Sequence, residues 1–337
     1  MKPKRIIIDT DIALGQRHRD VDDGLAIVMA AGSPDLTIEA ITLTYGNDSL
    51  DNVEQSMNRL ATQMEGFSIQ AVRGAGSASD LGKKSKATEK LIQTLKEDKA
   101  TIVAIGPLTN IASALMLEPI IAERIEEIVM VAGRQPGQRF LTGNHDKSHP
   151  DLNFERDPEA LKFLISSKVP ITLAPFEVSS KVWVTRDVLE RVSQNDTALS
   201  KYLVEHCSRW LEFWGNTFST PLLKVEAFNP FDTLAIAWLT DRDLLSWSPV
   251  EIAVEIDNYD LTDTVMQGTG SPAKPYLHAR RKETANTYLD KQSGNEPLGQ
   301  NLSSNNSDVE PHKKPEYIYI YDVQREAFLN RLIKRLK

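Results

Sequence analysis

Short apolar runs alternate with helical patterns along most of the chain, and small polar turns separate them. Arg5–Ile8 carries three consecutive β-branched residues, the pattern of a strand covered on both faces. Asp9, Thr10 and Asp11 stop that run, a polar loop containing a glycine follows, and Val21–Ala31 predicts a helix ended by Gly32. A second strand, Leu36–Tyr45, runs into Gly46-Asn47-Asp48, and Ser49–Met64 has helical spacing. Ile69–Val72 predicts a third short strand. Gly74–Lys86, small, polar and basic, predicts a mobile loop. Ala87–Glu97 is helical and Thr101–Ile105 is a buried strand. Gly106-Pro107-Leu108-Thr109-Asn110 then turns into a helix that Pro119 ends, and Ile128–Ala132 is a fifth strand before Gly133.

Beyond it the pattern loosens. Arg134–Pro150 is a long polar loop, of the kind that is functional or disordered in compact domains. Asp157-Pro158-Glu159 opens a helix, with Asp157 as cap and Pro158 at its first position. Val169–Leu173 is a sixth strand. Arg186–Trp214 is helical and carries Tyr202, Trp210, Phe213 and Trp214 on a face read as core packing. Asn229-Pro230-Phe231-Asp232 starts another apolar helix, Thr233–Leu239. Ser246–Ile256 and Leu261–Gly268 predict paired strands, and Tyr317–Val323 and Glu326–Leu336 a closing strand and helix. Lys291–Lys314, rich in Asn, Ser and Gly, predicts a flexible insertion. Apolar strands alternating with helices predict an α/β fold, an open, mainly parallel Rossmann-like sheet with helices on both faces. One domain over residues 1–337 accommodates it.

Composition narrows the partners. A net charge of −8, with no long basic block, argues against nucleic acid as the main partner. One cysteine, Cys207, excludes an internal disulfide framework and fits a reducing compartment. No run approaches a membrane span, and MKPKR leads straight into a strand without a signal-peptide pattern. A cytoplasmic location is the expectation.

The chemistry concentrates at the first strand-to-helix crossing. Asp9, Asp11, Asp22 and Asp23 crowd the carboxyl end of a strand, where open α/β sheets bind ligands. Like charges repel, and the helix N-terminus offsets only part of that cost. The remainder points to a hard, oxygen-liganded cation such as Ca²⁺ or Mg²⁺; the plainer reading is a helix cap with solvated neighbours. Asn47, the stretch Asn144–Asn153 and Asp232 stand at comparable strand or helix ends. Converging acids and amides suit a metal-bound polyhydroxylated ligand.

With these residues in view, the chain resembles the inosine-uridine-preferring nucleoside hydrolase family over nearly its whole length. The family's DxDPGxDDA-type motif is matched by Asp9-Thr10-Asp11, a lengthened loop Ile12–Asp20, and Asp22-Asp23-Gly24. Thr44–Asn47 (TYGN) is similar to its strand-end VGN, and Ile105–Pro119 to its GPLTNIA signature, the most specific match. Val129–Gly133 resembles its MGG strand. Gly143-Asn144, Asp151-Leu152-Asn153 and Asp157–Ala160 resemble its GN…EFN…DPEAA run, and Asp232 stands where the family has a metal-binding Asp.

The resemblance implies a nucleoside hydrolase fold and Ca²⁺-dependent hydrolysis of ribonucleosides, or of a related N-ribosyl compound, to ribose and base. Mg²⁺ is the weaker candidate. It implies Ca²⁺ held by Asp11, Asp23, Asp232 and the backbone carbonyl of Ile105. Asp22, Asn47, Asn144, Asp151 and Asn153 would bind the ribose hydroxyls, with Asp9 orienting a metal ligand. Cleaving an N-glycosidic bond develops oxocarbenium-like charge that acidic surroundings stabilise. Asp11 would be the general base for a metal-oriented water, with Asp22 its competitor. Homodimers or homotetramers are also implied.

Four departures stand out. The lengthened loop holds Arg17, His18 and Arg19. Phe231 occupies the place where some members carry a His that protonates the leaving base, and His145, His149, Glu177 and Trp183 are candidates to replace it. Asp151 stands for the family's Glu, and Gly74–Lys86 for its His-containing loop. Two other readings are a ribosyl-binding protein that lost turnover and, more distantly, a phosphatase of the haloacid dehalogenase type suggested by the DxD. The second leaves Asp232 and GPLTNIA unexplained.

Overall fold

Side-chain alternation along one strand decides the architecture. In β1 (Lys4–Thr10) every residue from Ile6 onward is buried. Ile6 and Ile8 point into one hydrophobic core and Ile7 into another, because successive side chains of a strand face opposite sides. Burying each contributes about 1.5–3 kcal/mol, and both faces must be covered to realise it.

The computed structural model describes residues 2–133, 151–222, 224–257, 274–281 and 317–337. After β1 come α1 (Asp22–Ala31), β2 (Leu36–Leu43), α2 (Leu50–Gln63), β3 (Val72–Arg73), α3 (Lys86–Glu97), β4 (Ala100–Ile105) and α4 (Thr109–Leu117). Next are β5 (Ile125–Met130), α5 (Leu152–Glu155), α6 (Pro158–Ser166), β6 (Ile171–Leu173), α7 (Phe176–Ser179), β7 (Val184–Thr185) and α8 (Arg186–Ser193). The chain continues through α9 (Ala198–Phe218), β8 (Ala227–Phe228), α10 (Thr233–Thr240), β9 (Leu245–Asp257), β10 (Lys274–Arg281), β11 (Tyr317–Val323) and α11 (Arg325–Arg335).

Nine strands form one sheet in the order β3-β2-β1-β4-β5-β6-β11-β9-β10. It is parallel from β3 to β11, and β9 pairs antiparallel with both β11 and β10. Helices α1, α2 and α8–α11 pack on the Ile6/Ile8 face, and α3, α4 and α6 on the other. This is the α/β sheet with helices on both faces that the sequence predicts. Its strand order reverses between β1 and β4, and a doubly wound sheet opens its ligand crevice at the carboxyl ends of such a pair.

Several local expectations change. Gly74–Lys86 is anchored rather than loose: Ala75 N–H donates to Asn110 Oδ1 at 2.8 Å and Gly82 N–H to Ser113 Oγ at 2.8 Å. Within it Asp80 accepts from Gly76 N–H at 2.9 Å and pairs with Lys83 at 3.1 Å. The single helical pattern Arg186–Trp214 splits into α8 and α9, because Asp196 adopts a left-handed backbone (φ 52°) and Thr197 with Ser200 forms a capping box for α9. The third strand is two residues long and shifted to Val72–Arg73. Trp210 and Trp214 lie in the core with Tyr202 and Phe213 packed against it, as predicted. Asp157 caps α6 by accepting from Ala160 N–H at 3.0 Å. Leu261–Gly268, Asn144, His145, His149 and residues 291–314 lie outside the described residues. Among the described residues, no helix is long and apolar enough to cross a membrane.

Candidate active site

The end of β1 carries its polar residues inward: Asp9, Thr10 and Asp11 are all completely buried. Asp9 stands beside Thr42 of β2 in register, and its Oδ1 accepts from Thr42 Oγ1 at 2.5 Å and from Asn110 Nδ2 at 2.9 Å. Thr10 Oγ1 donates to Asp23 Oδ1, tying the strand end to the first turn of α1. Asp11 Oδ2 accepts from Asn47 N–H at 2.6 Å, and Asn47 Nδ2 donates to Asp23 Oδ2 at 3.2 Å. One asparagine therefore holds two carboxylates.

Two glycines allow this approach. Gly46 has φ 154°, and a Cβ there would fall 1.9 Å from Asp11 Oδ2. A Cβ on Gly106, just after Ile105, would come within 2.9 Å of Asp11 N. Ile105 itself ends β4 opposite Thr10, so its carbonyl belongs to the same strand-end rim.

Asp232 arrives from far along the sequence. It precedes α10, a mostly apolar helix buried from Thr233 to Trp238 that packs on α1. That packing places one oxygen each of Asp22, Asp23 and Asp232 within 4.8 Å of one another. Ligands about 2.4 Å from a Ca²⁺ ion stand no more than about 5 Å apart, so the spacing fits a shared cation. The three-residue group includes Asp22, placed by the sequence with the sugar, while Asp11 stands next to it.

Electrostatics favour the same occupant. Burial, then repulsion from Asp11 and Asp22, holds Asp23 well above the usual carboxylate range. Burial followed by repulsion from Asp22, Asp23, Asp11 and Asp20 does the same for Asp232. Burial raises Asp11 in spite of the Asn47 N–H, and repulsion from Asp22 adds to it. Burial pushes Asp22 up to about 6, and Asp9 to about 7 against the Thr42 and Asn110 hydrogen bonds. Asp9 Oδ2 and Asp11 Oδ1 are buried without a hydrogen-bond partner. Buried charges this close need a counter-charge. The donor set is all hard oxygen, which suits Ca²⁺ and offers nothing to a soft metal.

The remaining expected residues lie further along the carboxyl edge. Asp151 Oδ2 accepts from Gly133 N–H at 2.5 Å, and Asn153 Nδ2 donates to Val131 O at 2.9 Å. Both are thus fixed just beyond β5. Phe231 stacks edge-on near Trp214, with ring centroids 6.4 Å apart, and Trp183 donates its indole N–H to Ser180 O at 3.0 Å.

Sequence reasoning missed Asp20, Thr10 and Asn110. Half-buried Asp20 is raised by burial and then by repulsion from Asp22, so it belongs electrostatically to the cluster. Its one signal was its place directly ahead of Val21-Asp22-Asp23. In the sequence Thr10 reads as a spacer between two carboxylates, and Asn110 as one more residue of the GPLTN match.

The family model described as inosine-uridine preferring nucleoside hydrolase matches residues 6–329. The chain belongs to this family. Nucleoside hydrolases are N-ribohydrolases, and the acidic centre is where the family match and the geometry coincide. The chain is 25% identical over 284 residues to an inosine-uridine preferring nucleoside hydrolase of Crithidia fasciculata, covering 75% of this chain and 84% of that one. It is 28% identical over 266 residues to the pyrimidine-specific ribonucleoside hydrolase RihA of Citrobacter koseri, covering 69% and 80%. In fold it matches a plant nucleoside hydrolase, PpNRh1, with TM-score 0.71, 22% identity and 99% of each chain covered. It also matches a purine-preferring ribonucleoside hydrolase from Gardnerella vaginalis with TM-score 0.70 and 21% identity, covering 99% of this chain and 98% of that one.

Proposed function

We propose that this nucleoside hydrolase cleaves the N-glycosidic bond of ribonucleosides at the buried acidic centre, releasing ribose and free base with Ca²⁺ as cofactor. The observation that carries the reading is the convergence of Asp22, Asp23 and Asp232 beside Asp11. Asp23 and Asp232 would hold the cation with Asp11 and the Ile105 carbonyl, and Asp22 would lie between it and the ribose hydroxyls. When bound, Ca²⁺ supplies a Lewis acid that orients a water and lowers its pKa.

The side chains supply the rest. Asn47 N–H holds Asp11 Oδ2 and leaves Oδ1 without a partner, free to take the proton of the attacking water as general base. Bond breaking at C1′ builds positive charge on the sugar ring, which buried carboxylates facing it stabilise more strongly than they would in water. Asn47, Asn144, Asp151 and Asn153 would orient the ribose hydroxyls, and Asp9, clamped by Thr42 and Asn110, would keep the strand end in place.

The test is release of free ribose from a panel of purine and pyrimidine nucleosides, with Ca²⁺, with chelator, and with Asp11→Asn. Release that is lost with chelator and with the variant is the expected result. Saturable nucleoside binding without release from any member would instead favour the ribosyl-binding reading, which the proton-donor-free Phe231 position motivates.

A further inference from the structure

Between the lengthened Ile12–Asp20 loop and α9 lies a cavity of about 520 Å³, in the range of small-molecule sites. Two links run from its lining to the acidic centre. Val21 lines it and directly precedes Asp22. Along α9 the rings of Phe213, Trp210 and Trp214 follow one another at 5.4 and 5.2 Å, and Trp214 reaches Phe231, the residue before Asp232, at 6.4 Å.

The loop is held in place. Ile12, Ala13 and Leu14 are fully buried. Gln16 Nε2 donates to Asn52 O at 3.2 Å and to Ser56 Oγ at 3.3 Å, and Arg19 pairs with Asp48 at 3.2 Å. His18 adopts a left-handed backbone (φ 57°), and its ring stacks on Phe213 with centroids 4.4 Å apart and planes 11° off parallel.

The lining is rich in donors. Three guanidinium groups, from Arg17, Arg19 and Arg209, face one exposed carboxylate, Glu212, in a chain of net charge −8. Arg19 is engaged by Asp48, and Arg209 by Glu205 at 2.7 Å. Arg17 has no ion pair or hydrogen bond among the described residues, and the buried indole N–H of Trp210 has no acceptor. Both groups can only donate. Their complement is a flat ligand that brings acceptors or negative charge.

We propose that this cavity receives the leaving group of the substrate and selects a planar heterocycle carrying an anionic substituent, such as a carboxylated base, with Arg17 the specificity-determining residue. The proposal rests on the hydrolytic reading above. In that reaction the C1′–N bond breaks with its electron pair going to the base nitrogen. The water oxygen bonds C1′, the water's proton passes to Asp11, and the base anion takes a proton from solvent.

Orotate and uracil, which differ by one carboxylate, are the probes. Each is titrated calorimetrically into the full-length, calcium-loaded protein and into Arg17→Met. Orotate should bind wild type about tenfold or more tighter than uracil, as expected for one charge-assisted contact. Arg17→Met should remove that preference while moving uracil by less than about twofold. Equal affinities in wild type, or a preference that survives Arg17→Met, would overturn the proposal. Turnover separates the two layers. An orotate preference in a protein that releases ribose from no nucleoside sinks the hydrolytic reading and keeps the anion-selecting cavity. Ribose release with no orotate preference does the reverse.

Discussion

The acidic centre and the cavity beside it adjoin one edge of the sheet, yet they are built by opposite means. The centre is buried, and backbone places it: strand register sets Asp9 against Thr42, and glycine contacts bring Asn47 onto Asp11. The cavity is formed by an exposed loop against a helix, and its charges are guanidinium groups on long side chains. A sheet edge tolerates little change, since one misplaced atom there disturbs several carboxylates at once. A loop seated on α9 can vary while the sheet stays as it is. On the proposals above, sugar chemistry belongs to the rigid part and base selection to the adaptable one.

The comparison can be broken most forcefully at Asp11. Asp11→Asn should lower ribose release about 10³-fold, the usual scale for a lost general base, with an unchanged circular dichroism spectrum. Retention of more than about a tenth of the activity would move the base elsewhere, to Asp22 first. Chelation should come next, lowering unfolding stability by about 2–3 kcal/mol at a free Ca²⁺ concentration about a hundredfold above its Kd. The chelated protein should also carry a pH signature. Its Asp22 and Asp9 carboxyls bind protons more tightly folded than unfolded, with folded values of about 6 and about 7. Their stabilising effect is full below about pH 4 and is lost as pH rises through those values. Thermal melts at pH 5 and pH 8 with chelator test the sign: the melting temperature should fall on going to pH 8, and the loaded protein should show a smaller fall.

Gly46→Ala sharpens the backbone side of the contrast. Its Cβ would meet Asp11 Oδ2 at 1.9 Å, so the Asn47 clamp must shift, at a cost of about 1–3 kcal/mol. A denaturant melt reads that cost directly; a wild-type midpoint would mean the strand end is softer than described. The smallest effect belongs to the loop. Arg17→Met should leave hydrolysis of a neutral-base nucleoside such as uridine within about twofold, the scale of an exposed charge with no charged group to meet. A large drop in kcat with uridine would place Arg17 in the chemistry common to all substrates.

Most of the fold was readable because an apolar run capped by Gly, Asn or Asp has few physical alternatives. Arg5–Ile8 and Thr101–Ile105 could only be strands covered on both faces. The acidic centre was readable for the related reason that carboxylates at a strand end are costly without a function. What escaped depended on tertiary contacts. Thr10 acts through Asp23, which lies beyond the long loop, and Asn110 reaches Asp9 across 101 residues. Asp20 reads in the sequence as one more polar loop residue, and only the fold brings it within electrostatic range of Cys207 on α9. The anchoring of Gly74–Lys86 likewise comes from Asn110 and Ser113, donors and acceptors that composition cannot pair. Asp232 stands out in the sequence only as a polar residue at a helix start; its metal-ligand role comes from the family resemblance, since nothing local distinguishes it from an ordinary residue preceding a helix.

The most direct test of the central claim is ribose release measured against free Ca²⁺ concentration, in wild type and in Asp232→Asn, starting from chelated protein. The acidic centre described here predicts that wild-type release returns along a saturating curve, and that Asp232→Asn shifts the curve to much higher Ca²⁺ or abolishes it. Release that continues undiminished in chelator, or that responds to Ca²⁺ identically in the two proteins, would contradict it.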